Sequence, residues 1–458
     1  MGASRRAAVI GVVAAVTVAL APARGFRIGY GSCNNQNLTQ LMWDHVVDRN
    51  PDLWLWGGDN IYGDVRVKTV SGILELYQSD PEYLWNLHKQ ESILLFPATP
   101  EKLAYLYEKQ KNHPGYQRLL RHLGPGKVLG IWDDHDFGLN DYGKYFEHKV
   151  ESQREFLKFL DVPKDDPRWE QDGVYAFEDV AGNRVRVFLL DNRFHRDNYT
   201  EGNGDMLGDD QWEWLASGLD SSTADFNLLV SGIQVLPDFA PRTRFENWAR
   251  LPQSRARLLE LISGSSAQGV LLVSGDVHFA ELLQADCTCT AGNESATFAL
   301  PEITSSGMTH SWNTYPQPLP HFMQVAQAVL PFRYVLDGKI FLDLNFAEFD
   351  IELDNPNAKR FTAKILDQNG QVALEHTWPH NILKPNRPLS NCTCGPHSGR
   401  ARAGPIESGI LISVCAVLAL LPVVGVLATL QMLCAFVCCR SCVRRRIAPA
   451  AGKHLKAD

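Results

Sequence analysis

The feature that most constrains this chain is a recurring arrangement in which a short apolar run leads straight into a cluster of carboxylates, amides and imidazoles. Leu53-Trp54-Leu55-Trp56 leads into Gly57-Gly58-Asp59-Asn60-Ile61-Tyr62-Gly63-Asp64. Val128 to Trp132 delivers Asp133-Asp134-His135-Asp136 and then Asn140-Asp141. Val185 to Leu190 ends in Asp191-Asn192-Arg193, Leu228 to Leu236 encloses Ser231-Gly232-Ile233-Gln234, and Val270 to Val273 ends in Gly275-Asp276-Val277-His278. Each run has the length and composition of a buried strand. Polar groups beyond the carboxyl ends of such strands are where open α/β sheets hold ligands. Helical spacing appears between the runs: after Leu38, from Glu151 to Leu160, from Gly208 to Leu215 and from Pro252 to Ile262. Residues 66 to 124 are mixed and mostly helical. This alternation predicts a layered α/β fold that brings several polar clusters to one edge. Beyond residue 330 the chain reads as strands, Tyr334 to Phe346 and Phe361 to Trp378, with Asn369-Gly370 as a hairpin turn.

Carboxylate, amide and phenol oxygens suit hard cations, and imidazole suits several transition metals. Asp59 can bridge two ions, Asp134 and Asn140 can add oxygen ligands, and His278 an imidazole. A two-ion site of this kind makes a hydroxide from water at neutral pH and clamps both oxygens of an in-line displacement. Phosphate esters suit that chemistry best.

Composition narrows the setting. The 458 residues carry 44 basic and 52 acidic side chains, a net charge of −8, which argues against nucleic acid as a general partner. Arg5-Arg6, the apolar run after them and Ala21-Pro22-Ala23 predict a signal peptide over 1–23. An uncharged apolar stretch over 409–437, followed by Arg440, Arg444, Arg445 and Arg446, predicts one C-terminal transmembrane helix. Residues 438–458 then form a cytosolic tail, as in a single-pass type I membrane protein. The catalytic domain spans 24–384 on the extracellular or luminal side, and the Pro- and Gly-rich 385–408 is expected to be a stalk. Of the 10 cysteines, Cys287, Cys289, Cys392 and Cys394 form two Cys-Thr-Cys motifs in an oxidising compartment, where disulfides are expected. Pairing between the motifs would tie the end of the ectodomain to its body, although spacing alone leaves the connectivity open. Asn37, Asn198, Asn293 and Asn391 head glycosylation sequons.

Taken as an ordered set, Gly58-Asp59-Asn60-Ile61-Tyr62, Trp132-Asp133-Asp134-His135-Asp136, Leu190-Asp191-Asn192-Arg193, the helix start from Leu207-Gly208 to Trp214-Leu215, Ser274-Gly275-Asp276-Val277-His278 and Ser305-Ser306-Gly307-Met308-Thr309 resemble the alkaline phosphatase D (PhoD-like) branch of the calcineurin-like metallophosphoesterases. The resemblance covers roughly residues 26 to 350. It implies a four-layer αββα sandwich, hydrolysis of phosphate mono- and diesters, and a Fe³⁺ plus Ca²⁺ centre. By that resemblance Cys33 matches the thiolate ligand, Asp59 the bridge, Tyr62 a ferric ligand, and Asp134, Asn140, Asp276 and His278 further ligands; Gln234 is a looser match. His135 matches a general acid, and Arg193 a phosphate-binding or supporting residue. Asp136 stands where Glu is commoner in the family and Asn192 where Thr is commoner. Asp64 and Asp133 are read as local hydrogen-bonding carboxylates, and His45, His195 and His310 as ordinary surface or core residues. Two competing readings remain: a different metal pair acting on nucleotides or lipid head groups, and a non-catalytic binding ectodomain, which the presence of Asp59, Asp134 and His278 disfavours.

Overall fold

The computed structural model describes residues 25–66, 95–199, 203–238, 246–291, 294–316, 320, 334–355 and 358–397. The expected signal peptide, membrane helix and tail lie outside these residues. Among the described residues no helix is long and apolar enough to cross a membrane.

Two sheets carry the fold. The first has six strands in the order β15 (Val372–Pro379), β14 (Arg360–Asp367), β13 (Asn345–Glu352), β1 (Phe26–Gly31), β2 (Leu53–Gly57), β5 (Val128–Ile131). β1, β2 and β5 run parallel, while β13 lies antiparallel to β1. The second runs β12 (Val335–Phe341), β10 (Ala280–Ala291), β11 (Glu294–Ser305), β9 (Val270–Ser274), β8 (Phe226–Ser231), β7 (Val185–Leu189), β6 (Ala176–Val180), with β16 (Cys392–Pro396) paired to β10. A two-residue ribbon joins β3 (Val65–Arg66) to β4 (Leu95–Phe96).

The apolar runs are continuous because both of their faces are buried. Side chains alternate across a strand. On β2, Leu53 and Leu55 join a cluster with Val187, Leu228, Val230 and Phe349, which lies between the two sheets. Trp54 and Trp56 face the other way, into a cluster with α1 (Trp43–Asp48), α2 (Pro100–Lys111), α3 (Pro114–Leu123) and α4 (Lys149–Phe159). On the second sheet, Phe188 and Leu229 pack outward against α5 (Asp209–Asp220) and α6 (Pro252–Gly264). The layer order is helix, sheet, sheet, helix, and the carboxyl ends of the parallel strands of both sheets meet along one rim.

Several elements differ from expectation. The helix after Leu38 is only α1; Leu38 and Leu41 are exposed and precede it. The strand expected over Leu228 to Leu236 stops at Ser231, where Gly232 turns the chain and the N–H groups of Val235 and Leu236 donate to Glu302. The long hairpin of β10 and β11 is not marked by the sequence, because exposed Asp286, Thr288 and Thr290 and buried Glu281, Gln284 and Glu302 interrupt the apolar pattern. The described residues after 330 form five strands, β12 to β16, with the expected turn at Asn369-Gly370 closing β14 onto β15. The expected stalk begins too early: β16 belongs to the second sheet. Disulfides Cys287–Cys394 and Cys289–Cys392 join it to β10, pairing the two motifs. Lys384, just before it, is buried and donates to the carbonyls of Ser265, Ala267, Pro385 and Arg387.

Candidate metal centre at the strand ends

Each parallel strand hands one piece of the site to the rim. β1 delivers Cys33, β2 delivers Asp59 and Tyr62, β5 delivers Asp133 to Asp136, and β9 delivers Asp276 and His278. The turns are sharp. Cys33, Asp59, Asp276 and His278 have φ of 57°, 52°, 72° and 57°, a left-handed conformation that costs a non-glycine residue about 1–3 kcal/mol. Four such residues in one place are held by their surroundings rather than by preference, and that clustering is itself a mark of a functional site. Gly58 makes the turn after β2 possible: its φ is +94°, and an added Cβ would stand 2.6 Å from the Asp133 Cβ.

The structure brings most of the expected donors together. Cys33 Sγ lies 3.6 Å from Asp59 Oδ2, and the Tyr62 hydroxyl donates to the same oxygen at 2.9 Å and lies 3.3 Å from His278 Nε2. Three acid and imidazole groupings have donor atoms within 4.8 Å of one another: Cys33 with Asp59 and His278, Asp59 with Asp134 and His135, and Asp133 with Asp134 and Asp276. Asn140 sits at the same rim, its N–H on Asp64 at 3.1 Å.

His135 stacks on Tyr62 with ring centres 4.2 Å apart, and its Nδ1 is 2.7 Å from Asp64. Asp64 is thus the partner that orients His135. Burial depresses the imidazolium, but the charges of Asp64, Asp134 and Asp59 outweigh it and hold His135 well above the ordinary range. Arg193 sits elsewhere in the scheme. It is fully buried, with Nε donating to Asp133 and both terminal nitrogens to Glu246 at 2.8 and 2.6 Å. Its donors are committed to carboxylates, so of its two expected roles the geometry gives support of Asp133, not contact with a phosphate. Gln234 is also turned away, its amide donating to Glu281 and Thr304. His195 bonds the Asp172 carbonyl, outside the donor groupings. Asp136 braces the rim by accepting from Asp133 N–H and from Asn60.

Other residues at the site carried no signal that the sequence reading used. His310 was expected to be an ordinary histidine, yet its ring lies 4.4 Å from that of His278 and 4.8 Å from that of Tyr62. Tyr315 holds His278 Nδ1 at 2.5 Å. Glu246 completes an acidic group with Asp134 and Asp141. None of the three sits directly at a strand end, where an apolar run would mark it.

The electrostatics test whether these residues fit a metal ion. Burial, followed by neighbouring negative charge, pushes Asp59, Asp276 and Cys33 well above their ordinary ranges. Burial also lowers His278 to about 4, leaving a neutral, donor-ready imidazole. One oxygen of Asp133 is held by Arg193, while Oδ2 is buried without a hydrogen-bond partner. An oxygen-rich, buried cluster with an orphaned carboxylate oxygen, one thiol and one neutral imidazole fits bound cations, because only positive charge satisfies such groups away from water.

Fold and site together define an αββα protein with a candidate metal centre at its strand ends. A sequence profile of the PhoD-like phosphatase family matches residues 28–334, and the chain belongs to that family. Alkaline phosphatase D of Bacillus subtilis (strain 168) is 29% identical over a segment covering 28% of this chain and 25% of that protein. The chain therefore aligns with about a quarter of this curated relative. A solved structure of PhoD superposes with a TM-score of 0.55 at 14% identity, over 86% of this chain and 76% of that one, a likeness of fold.

Proposed function

We propose that the chain is a metal-dependent hydrolase of phosphate mono- and diesters. The observation that carries this reading is the convergence of Cys33, Asp59, Asp134, Asp276 and His278 from four strand ends into one cluster in which Cys33, Asp59 and Asp134 are buried and Asp276 and His278 half-buried. Family membership supports the choice of ester.

Cys33, Asp59, Tyr62 and His278 would hold one ion, and Asp59, Asp134, Asn140 and Asp276 a second, with Asp59 common to both. A thiolate and a phenol fit Fe³⁺, and the oxygen-rich side fits Ca²⁺. When bound, such a pair supplies Lewis-acid polarisation of the phosphoryl oxygens and a lowered pKa for water. The chain's own groups do the rest. Asp64 fixes His135 through Nδ1, which leaves Nε2 to hand a proton to the leaving oxygen. Arg193 and Asp136 hold the Asp133–Asp134 turn so that its carboxylates need not reorganise. Tyr315 fixes the His278 ring by its far nitrogen, as outer partners of metal-binding histidines do.

The setting proposed is a secreted signal over 1–23, a C-terminal membrane helix over 409–437 and a catalytic domain on the extracellular or luminal side; the two disulfides support an oxidising compartment. The test is to assay the purified protein on mono- and diester substrates with metal content measured on the same sample. Wild type should hydrolyse them with bound metal, and Asp59→Ala should lose both activity and metal. Hydrolysis that survives Asp59→Ala would refute the reading.

A further inference from the structure

Ser305-Ser306-Gly307-Met308-Thr309 resembles the family pattern but has no part in the scheme above. The segment follows β11 and has no carboxylate, imidazole or thiol, yet it touches both sides of the centre. Ser306 is fully buried; its Oγ lies 3.0 Å from Cys33 Sγ and accepts the His278 backbone N–H at 2.8 Å. Met308 N–H donates to the Ser32 carbonyl, and Thr309 donates to the Cys33 carbonyl through both N–H and hydroxyl. The left-handed turn at Cys33 is thus held by backbone contacts, and its sulfur by a side chain.

A hydroxyl has one proton and two lone pairs. His278 N–H occupies a lone pair of Ser306, so its proton is left to donate, with Cys33 Sγ within reach. Ser32 Oγ is also near the sulfur, at 3.7 Å, but donates to the Ser305 carbonyl at 2.9 Å. Among the described residues Ser306 is therefore the principal donor to this sulfur. Hydrogen bonds to a metal-bound sulfur draw electron density away from it and tune the metal it binds.

We infer that Ser306 is a positioning residue whose hydroxyl hydrogen-bonds the Cys33 sulfur and thereby sets how strongly that ligand donates to the metal, an inference that rests on Cys33 being a ligand. The same hydroxyl locks the Cys33 turn to the His278 turn, so one proton donor couples two ligands from different sheets.

The thiolate-to-metal charge-transfer band tests this, in the protein as purified and after reloading with Co²⁺. Ser306→Ala should move the band to longer wavelength, since the sulfur lone pairs lose their stabilising donor. Ser306→Thr, which keeps the hydroxyl, should leave it in place, and Cys33→Ser should abolish it. In wild type the metal–sulfur stretching frequency should shift after prolonged exchange into D₂O. A wild-type band that Ser306→Ala does not move overturns the inference while leaving Cys33 a ligand. A wild type with no thiolate band in either metal form overturns the ligand reading and the inference with it. If Ser306→Ala fails to fold, the wild-type D₂O measurement decides alone, and an unshifted stretch overturns the inference.

Discussion

Two groups of acids lie side by side at the rim, and their charges are answered in opposite ways. Asp133 and Glu246 are held by Arg193, with Arg196 3.5 Å from Glu246. Asp59, Asp134 and Asp276 border the same Asp133 but, among the described residues, have no guanidinium hydrogen-bonded to them. Burial and mutual repulsion push Asp59 and Asp276 toward protonation, while charges of His135 and Arg193 and a bond from Asp141 N–H overcome burial at Asp134 and keep it low. In the first group Arg193 answers Glu246 through both terminal nitrogens and Asp133 through Oδ1, while Asp133 Oδ2 has no hydrogen-bond partner. The second calls for cations from outside. Arginine builds a scaffold here, and its absence a few ångströms away leaves a binding site.

The sharpest way to break this contrast is to remove each group's key member. Asp59→Ala should lower kcat on a phosphodiester by at least ~10³-fold, as expected when a bridging acid of a two-metal centre is lost, while the apo protein keeps or gains stability because a buried acid is gone. Arg193→Leu should do the reverse. It strands Asp133 and Glu246 in the interior and should cost roughly 3–5 kcal/mol in denaturant unfolding. If Arg193→Leu proved as stable as wild type, the internal neutralisation described here would be wrong.

A third acid cluster provides a control away from the metal groupings. Glu281 is fully buried, with Oε1 on Gln234 and Oε2 unpartnered. Burial raises it to about 8 from an ordinary 4.5, helped by Glu302 and opposed by Gln234. A raised folded-state value means its stabilisation is full below the ordinary value and is lost as pH rises through about 8. Glu281→Gln, which stays neutral, should therefore lose roughly 5 kcal/mol less stability than wild type over that window. Parallel pH profiles of the two proteins would remove Glu281 from the account.

A smaller effect tests the His135 pair. Asp64→Asn should lower kcat about 10- to 100-fold with little change in KM, since it loosens an orienting contact and not a ligand. Tyr315→Phe removes one hydrogen bond from His278 and should weaken metal affinity by about 1 kcal/mol, some fivefold, read by competition with a chelator.

Much of the fold could be read from the chain because its parallel strands are buried on both faces, which makes Leu53 to Trp56 and Val270 to Val273 stand out as unbroken apolar runs. The β10–β11 hairpin could not, since its strands alternate with polar residues and cysteines and are fixed by partners far along the chain. The same division holds at the site. Asp59, Asp134, Asp276 and His278 follow strand ends, a local signal. His310, Tyr315 and Glu246 do not, and Ser306 follows β11, whose mixed pattern did not mark it as a strand; all four matter only because the chain returns them to the rim.

The sequence by itself determined the inventory of donors, the layered α/β class and the family, because those depend on residue type and order within single segments. Tertiary structure decided how each charge is answered: that Arg193 is spent on Asp133 and Glu246, that Asp64 belongs to His135, that the cysteine motifs pair with each other, and that Ser306 spans Cys33 and His278. The physical reason is that neutralisation and hydrogen bonding act over about 3 Å, between residues as far apart in the chain as 273 positions, and no local pattern records such a distance.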